Sequence, residues 1–519
     1  LIADLMKKVL LVVIDALASR VIQPAMNAGR LPNLQAVVAH GEVDWRSTAI
    51  FPSITPAATG ALITGGYPRE TGIAGAYFYD KSDDQVHYYA DDIWPILNKG
   101  IGEFFNDFLI HLNRDQLRLE TLFQRVERHG GRAACLNYLW FHGEHIHKVH
   151  IPWLLKILPG VPFATEVEGP AVLSLGDFVS SRLEESGEKL QGHGGLKHRY
   201  GFDDVDTSDV LLQLAQSGPL PDLTVAYFPD NDFDSHEIGP AASVETVEKV
   251  DATLGELFAI SGGLENFLKH TAIVVTGDHA QSDLPLDTKE TGIDLDELLH
   301  QFALVPIGKR WSDDDDLMVC PNMRAAQIYV RPRFRPRFAE LVNTLLAEPR
   351  IDQVIWREAA EGDVGAQYHV ATTRGENLRF WHTGEADALA QDEYGGTWAW
   401  SGDLSAVDGS MDRDGVLRFG DYPNAFERIA TAFDQDVSGD LWITSRVSYE
   451  LGRQGASIHE GGSHGSLHAL DSLSPLIFAG APRPADWKQT ARSVDVAPLC
   501  ASILGLPPWK KLGISHTGE

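Results

Sequence analysis

Three kinds of residue pattern are scarce in this sequence, and each shortage closes off a class of function. Cysteine is the first: Cys135, Cys320 and Cys500 are the only 3 in 519 residues, odd in number and far apart. They spell out neither a disulfide framework nor a cysteine-based zinc site. Basic charge is the second, with 43 Lys and Arg against 73 Asp and Glu and a net charge of −30. A broad basic face for a nucleic-acid polymer or an anionic membrane is therefore not expected. The third is long apolar runs, none of which approaches the roughly 18 residues of a spanning helix. Val9–Ile14 comes closest in character, and Met6, Lys7 and Lys8 ahead of it resemble the start of a secretory leader. The run is short, ends in Asp15 and has no small-residue cleavage site, so it reads as a buried strand. A cytoplasmic location is the expectation, although a leader removed beforehand would leave no trace. The segment after it, Asp15–Arg20, also lacks the Gly-x-Gly-x-x-Gly of a dinucleotide-binding turn.

What is present is ordinary globular composition, 44% hydrophobic and 22% charged, in a chain long enough for a large core. Val9–Ile14 is a continuous β-rich run of the kind buried on both faces of a parallel sheet. Leu119–Arg128 reads as a helix stopped by Gly130 and Gly131, and Arg132–Tyr138 as the next strand. Leu223–Phe228 and Thr271–Val275 are further buried strands, with helical periodicity over Val244–Ile260 between them. Pro475–Ala479 and the helix-like Val494–Leu504 close the pattern. The alternation predicts an α/β fold with a mostly parallel central sheet sandwiched by helices.

Two regions break the rhythm. Around 80–113, Ile101, Phe104, Phe105, Phe108, Leu109 and Leu112 form a helical stripe, read as core packing with a lipid-facing lid as the alternative. Residues 290–450 carry strand and turn signals, among them Tyr368–Thr373 and Val416–Phe419, and read as an inserted cap. The core is then discontinuous, 6–289 and 451–510.

The strongest local signal lies in residues 51–76. Pro52 and Pro56 bracket Thr55, and Ala57–Thr64 can be helical before Gly65 and Gly66 stop it. Threonine suits a cap and proline the first helical position, so Thr55 is expected at a helix N-terminus. Unpaired N–H groups there favour an anion or a developing alkoxide. Four clusters of acid or histidine also lie at or just after predicted strand ends: Asp15, Asp232 with His236, Asp278 with His279, and His464. Alone, an acid after a strand is usually a cap and a lone histidine a core residue. Together they occupy the edge where open α/β sheets bind ligands. Carboxylate and imidazole suit zinc, with manganese a poorer fit, and two ions can clamp the attacking and leaving oxygens of a phosphoryl displacement.

These motifs resemble the alkaline phosphatase superfamily, and most of all its type I phosphodiesterase/nucleotide pyrophosphatase branch. They read Val-Ile-Asp ending at Asp15, Phe-Pro-Ser-Ile-Thr ending at Thr55, and Thr-Gly-Gly-Tyr-Pro-Arg-Glu-Thr-Gly-Ile over 64–73. Asp-x-x-x-His-x-x-Gly-Pro over 232–240, Gly-Asp-His over 277–279 and Gly-Ser-His-Gly over 462–465 complete the set, in the family's order. The resemblance implies that Asp15, Asp278 and His279 hold one zinc ion together with the Thr55 oxygen. It implies that Asp232, His236 and His464 hold a second. Thr55 would attack phosphorus and form a phosphothreonine that water releases. The substrate implied is a small-molecule phosphate ester, preferably a diester. Asp230 and Asp234 are set aside because Asp232 and His236 have the family's spacing.

The pattern departs from the family in places. Nucleotide-cleaving members carry a base-stacking Phe just after the nucleophile, where this chain has Pro56, Ala57 and Ala58. They also carry an Asn that hydrogen-bonds a phosphoryl oxygen where this chain has Ala76, so Ala76 and its neighbour Tyr77 are the substrate-binding candidates. Lys197, His198 and Arg199 offer positive charge for a monoester, and a phosphomonoesterase or phosphonate hydrolase on the same site stays open. So does a catalytically silent metal-binding recognition protein. Cys320–Arg324 misses the sulfatase frame by one position, and Ser410–Asp421, a partial calcium loop, reads as a hairpin. His142, His145, His147 and His150 read as surface or substrate-loop residues.

Overall fold

The computed structural model describes residues 7–89, 107–151, 165–183, 187–285, 287–358, 366–384, 389–433, 436–454, 457–483 and 490–509. At its centre is an 8-stranded sheet in the order Gly41–Thr48, Leu473–Ala479, Thr271–Thr276, Lys8–Ile14, Leu223–Phe228, Ala133–Leu136, Val172–Leu175, Val179–Ser180. From Thr271–Thr276 through Val172–Leu175 the neighbours run parallel. Antiparallel pairing is confined to the two margins.

Lys8–Ile14 sits mid-sheet because its side chains are apolar on both faces, and Val9 to Ile14 are essentially fully buried. On one face Val9, Leu11 and Val13 pack with Ala57, Ala58, Ala61 and Leu62 of the Thr55–Thr64 helix and with the Val496–Ile503 helix. On the other, Leu10, Val12 and Ile14 meet Ile22, Leu34, Val37 and Val247 from three more helices. Each such side chain contributes about 1.5–3 kcal/mol when fully buried, so this strand is the anchor of the sandwich.

Predicted and observed elements agree in kind, and some differ at their ends. The helix read from Leu119 begins at Leu122, because Thr121 accepts from Gln124 N and Gln124 returns the bond to Thr121 N as a capping box. The helix read over Val494–Leu504 runs Val496–Ile503. Of the Phe-rich stripe, Leu112 is fully buried, while Ile101, Phe104 and Phe105 lie outside the described residues.

A second, 10-stranded sheet is built from strands between Leu317 and Ser445. Its pairs are antiparallel except Ala390–Asp392 with Val416–Phe419. Gly409–Met411 and Val416–Phe419 form the expected hairpin, whose Asp412 carboxylate accepts from Asp414 N and Val416 N. Among the described residues no helix is long and apolar enough to cross a membrane.

Candidate metal centre

The parallel register brings the predicted ligands to one edge. Asp15 follows the central strand, and Asp278 and His279 follow its neighbour Thr271–Thr276. Asp232 and His236 lie one turn apart on the Asp230–Ile238 helix, which follows the other neighbour, Leu223–Phe228. His464 comes just before the Leu473–Ala479 strand. Thr55 is the first residue of its helix rather than the cap, which is the extended Ile54. Trp140 Nε1 donates to Pro56 O at 2.9 Å and Tyr138 OH to Thr59 O at 2.7 Å, which fixes this first turn.

Thr55 Oγ1 lies 3.0 Å from His279 Nε2. That nitrogen is also 3.5 Å from Asp15 Oδ1 and 3.5 Å from Asp278 Oδ2. Asp232 Oδ2 is 3.3 Å from His236 Nε2, and Asp232 Oδ1 is 3.6 Å from His464 Nε2. Asp15, Asp278 and His279 can hold one cation, and Asp232, His279 and His464 a neighbouring one, so His279 belongs to both groups. The cluster is therefore continuous rather than two separate triads.

A divalent cation fits the donor atoms. Asp15 Oδ1, Asp278 Oδ2, His236 Nε2 and His464 Nε2 are buried and have no hydrogen-bond partner. The opposite end of each group is satisfied. Tyr227 OH donates to Asp15 Oδ2, and Asp278 Oδ1 accepts from His279 N at 2.9 Å and Ala16 N at 3.2 Å. His236 Nδ1 meets Gly462 O at 2.8 Å and His464 Nδ1 meets Ser53 O at 2.7 Å. A carbonyl only accepts, so each Nδ1 carries the proton and each Nε2 turns a lone pair inward. This is the outer hydrogen bonding that orients metal-binding imidazoles.

Electrostatics point the same way. Burial, with Asp278 and Asp232 beside it, holds the Asp15 carboxyl well above its ordinary range. Burial and the nearby His279 push His464 well below, which keeps it neutral as a ligand must be. A dication would supply the charge that three buried carboxylates otherwise lack.

Three neighbours carry no motif. Tyr227 sits inside a buried strand, and Asn231 Nδ2 donates to Asp15 O at 2.7 Å. Gln281 Nε2 donates to Asp232 O at 3.2 Å and to Asp232 Oδ1. Gln281 could have been suspected from its place two residues after His279, whereas nothing in an apolar run marks Tyr227.

The remaining candidates have other engagements. Asn322 Oδ1, from the second sheet, accepts from Ala76 N at 2.7 Å and Tyr77 N at 3.1 Å. The Tyr77 hydroxyl accepts from Gly308 N at 3.0 Å. Arg199 pairs with Asp230 and covers the Phe233 ring at 4.0 Å, and the Lys197 side chain lies outside the described residues. Asp234 accepts from Thr246 Oγ1. His142 pairs with Glu168 at 3.2 Å and His147 with Pro170 O at 2.7 Å, both away from the cluster. Cys320 is a fully buried strand residue whose thiol burial pushes far upward.

Fold and cluster together describe an α/β protein with buried carboxylates and imidazoles gathered at one sheet edge, where they could hold a metal ion. The sequence model of the type I phosphodiesterase/nucleotide pyrophosphatase family matches residues 9–466, and the chain belongs to that family of phosphoric ester hydrolases. No curated protein matches it by sequence. Solved structures match over almost the whole chain. An inactive murine ectonucleotide pyrophosphatase/phosphodiesterase 5 in complex with AMP gives a TM-score of 0.56 at 13% identity, over 98% of this chain and 97% of that one. The human form gives 0.54 at 14% identity, over 99% and 97%. At such identity the likeness is one of fold.

Proposed function

We propose that the chain is a two-metal phosphodiesterase whose nucleophile is Thr55. The observation that carries this reading is Thr55 Oγ1 at 3.0 Å from His279 Nε2, on the rim of a cluster in which Asp15 Oδ1, Asp278 Oδ2, His236 Nε2 and His464 Nε2 are buried without a hydrogen-bond partner. Asp15, Asp278 and His279 would hold one zinc ion beside Thr55, and Asp232, His236 and His464 the other. When bound, the ions supply Lewis-acid charge to the phosphoryl group and to the attacking and leaving oxygens.

Thr55 does the covalent work. Its Oγ1 gives up the hydroxyl proton and bonds to phosphorus while the bond to the leaving oxygen breaks, and that oxygen takes up a proton. Water then adds to phosphorus, the bond to Thr55 breaks, and Thr55 regains its proton as the phosphate product leaves. The helix N-terminus under Thr55 favours negative charge on its oxygen. Tyr227 donates to the Asp15 oxygen turned away from the cluster and Gln281 donates to Asp232 Oδ1, so these carboxylates keep one orientation through the cycle.

A diester is favoured over a monoester because Arg199, the cationic side chain suspected of serving a second phosphoryl charge, is already paired with Asp230. The AMP bound to the murine relative favours a nucleotide-type substrate. Residues 290–450 are proposed as the insert that shapes the substrate side.

The test is hydrolysis of bis(p-nitrophenyl) phosphate and p-nitrophenyl phosphate by zinc-loaded protein, beside the Thr55→Ala variant. Wild type is expected to prefer the diester, and T55A to lose at least about 10³-fold in kcat with its zinc retained. Equal activity in T55A would overturn the mechanism, and a monoester preference would overturn the substrate class.

A further inference from the structure

Each imidazole of the cluster stands against another ring. His279 stacks on His464 at 3.8 Å and 17°, His464 meets His236 at 5.1 Å, and His236 stacks on His459 at 3.9 Å and 28°. His459, the last of the four rings, belongs to no motif. We infer that His459, held by Glu450, is a positioning residue that fixes the ring of His236 for metal binding. This rests on the reading of Asp232, His236 and His464 as metal ligands.

The two residues form a built pair. His459 Nδ1 donates to Glu450 Oε1 at 2.9 Å and Oε2 at 3.1 Å, and His459 N donates to Oε2 at 3.3 Å. Glu450 is 2% exposed, so its carboxylate is kept out of water by this partner. It stands on the Glu450–Gly452 strand, which pairs with Gly292–Asp294 and gives the pair a fixed base.

The need for such a device follows from what else grips His236. Its Nδ1 proton goes to Gly462 O at 2.8 Å and its carbonyl accepts from Gly461 N at 2.8 Å. Both partners are the backbone of a glycine pair, held by pairing with Ser282–Asp283 and by Leu284 N, none of which touches the face of the His236 ring. His459 comes two residues earlier and ties that segment to Glu450 while its ring covers one face of His236. Ring orientation matters because a ligand must be held within roughly 10–20° of its productive direction.

The experiment is a calorimetric zinc titration of metal-stripped wild type and His459→Ala. The expected result is that H459A weakens one of two zinc sites about 10–100-fold and leaves the other within about threefold, the size typical of an outer-shell partner. A general loss of structure would weaken both. Should H459A fail to fold with Glu450 unpartnered, His459→Gln keeps a donor to Glu450, removes the ring, and is expected to show the same selective loss. Two zinc sites of unchanged affinity in either variant, or equal weakening of both, would overturn the inference. Wild type that binds no pair of zinc ions would instead refute the two-metal reading itself.

Discussion

A single side chain in this protein is defined by which of its atoms are spoken for. Asp15 was readable as a ligand candidate because it ends an apolar strand, yet only the structure shows one oxygen taken by Tyr227 and the other left open. Thr55 was readable from its flanking prolines, and lands one residue deeper in its helix than a cap because Ile54 is still extended. Asp392 was not readable at all. It is buried in the second sheet, accepting from Tyr394 N at 2.9 Å, Gly396 N at 2.8 Å and Trp398 Nε1 at 2.6 Å. Burial and the nearby Glu427 nevertheless push it up to about 6 from 3.8. The folded protein therefore holds this proton more tightly than the unfolded chain. Its contribution to stability is complete below about pH 4 and is lost as pH rises through about 6, roughly 3 kcal/mol in all. Thermal unfolding of wild type and Asp392→Asn from pH 4 to 7 checks this: wild type should lose stability relative to D392N across that window. Parallel curves would refute the assignment.

At the scale of elements, continuous apolar strands were the most legible feature, because burial on both faces leaves little freedom in their composition. Leu223–Phe228 and the Val244–Ile260 helix fall where periodicity placed them. Close approach between segments leaves a fainter trace. Gly461 lies so near the end of the Asp230–Ile238 helix that an added Cβ would sit 2.2 Å from Gly239 N and 2.6 Å from Ile238 N. Both neighbours are backbone and cannot turn aside. Gly461→Ala should push the two segments apart, cost about 1–3 kcal/mol as an overpacked site does, and break the Gly462 contact to His236. Denaturant unfolding together with zinc stoichiometry reads both effects. Unchanged stability with full zinc uptake would show that the segment has room to move.

At the scale of the molecule, the second sheet is tied into the loops that carry the candidate ligands. Arg324 and Asp471 form a fully buried pair, with Arg324 also donating to Ser282 Oγ at 2.9 Å and Ser445 O at 3.1 Å. Arg324 N donates to His464 O at 2.8 Å, and Asp471 accepts from Ser466 N at 3.0 Å. Arg428, buried on the Ala425–Ala432 helix, donates to Leu467 O at 2.8 Å and to Ile50 O at 3.3 Å, on either side of the site. Phe51 packs on Trp442 with ring centroids 5.1 Å apart. Arg324→Met is expected to lower stability by about 3–5 kcal/mol by stranding Asp471, and the double variant R324M/D471L to recover most of it. Equilibrium unfolding in urea decides: a double variant no better than the single one would mean that the charges themselves are needed.

The sequence by itself determined the α/β class, the buried strands and the order of the acid and histidine motifs, because strand burial and ligand chemistry restrict residue type locally. The tertiary structure alone decided that His279 lies within reach of both candidate ligand groups, that Tyr227 and Gln281 hydrogen-bond to Asp15 and Asp232, and that Asn322 occupies the backbone of Ala76 and Tyr77. It also decided that His459 and Glu450 stand behind His236. These contacts join residues far apart in the chain through ordinary side chains, and a hydrogen bond across such a distance constrains geometry without leaving a local pattern to read.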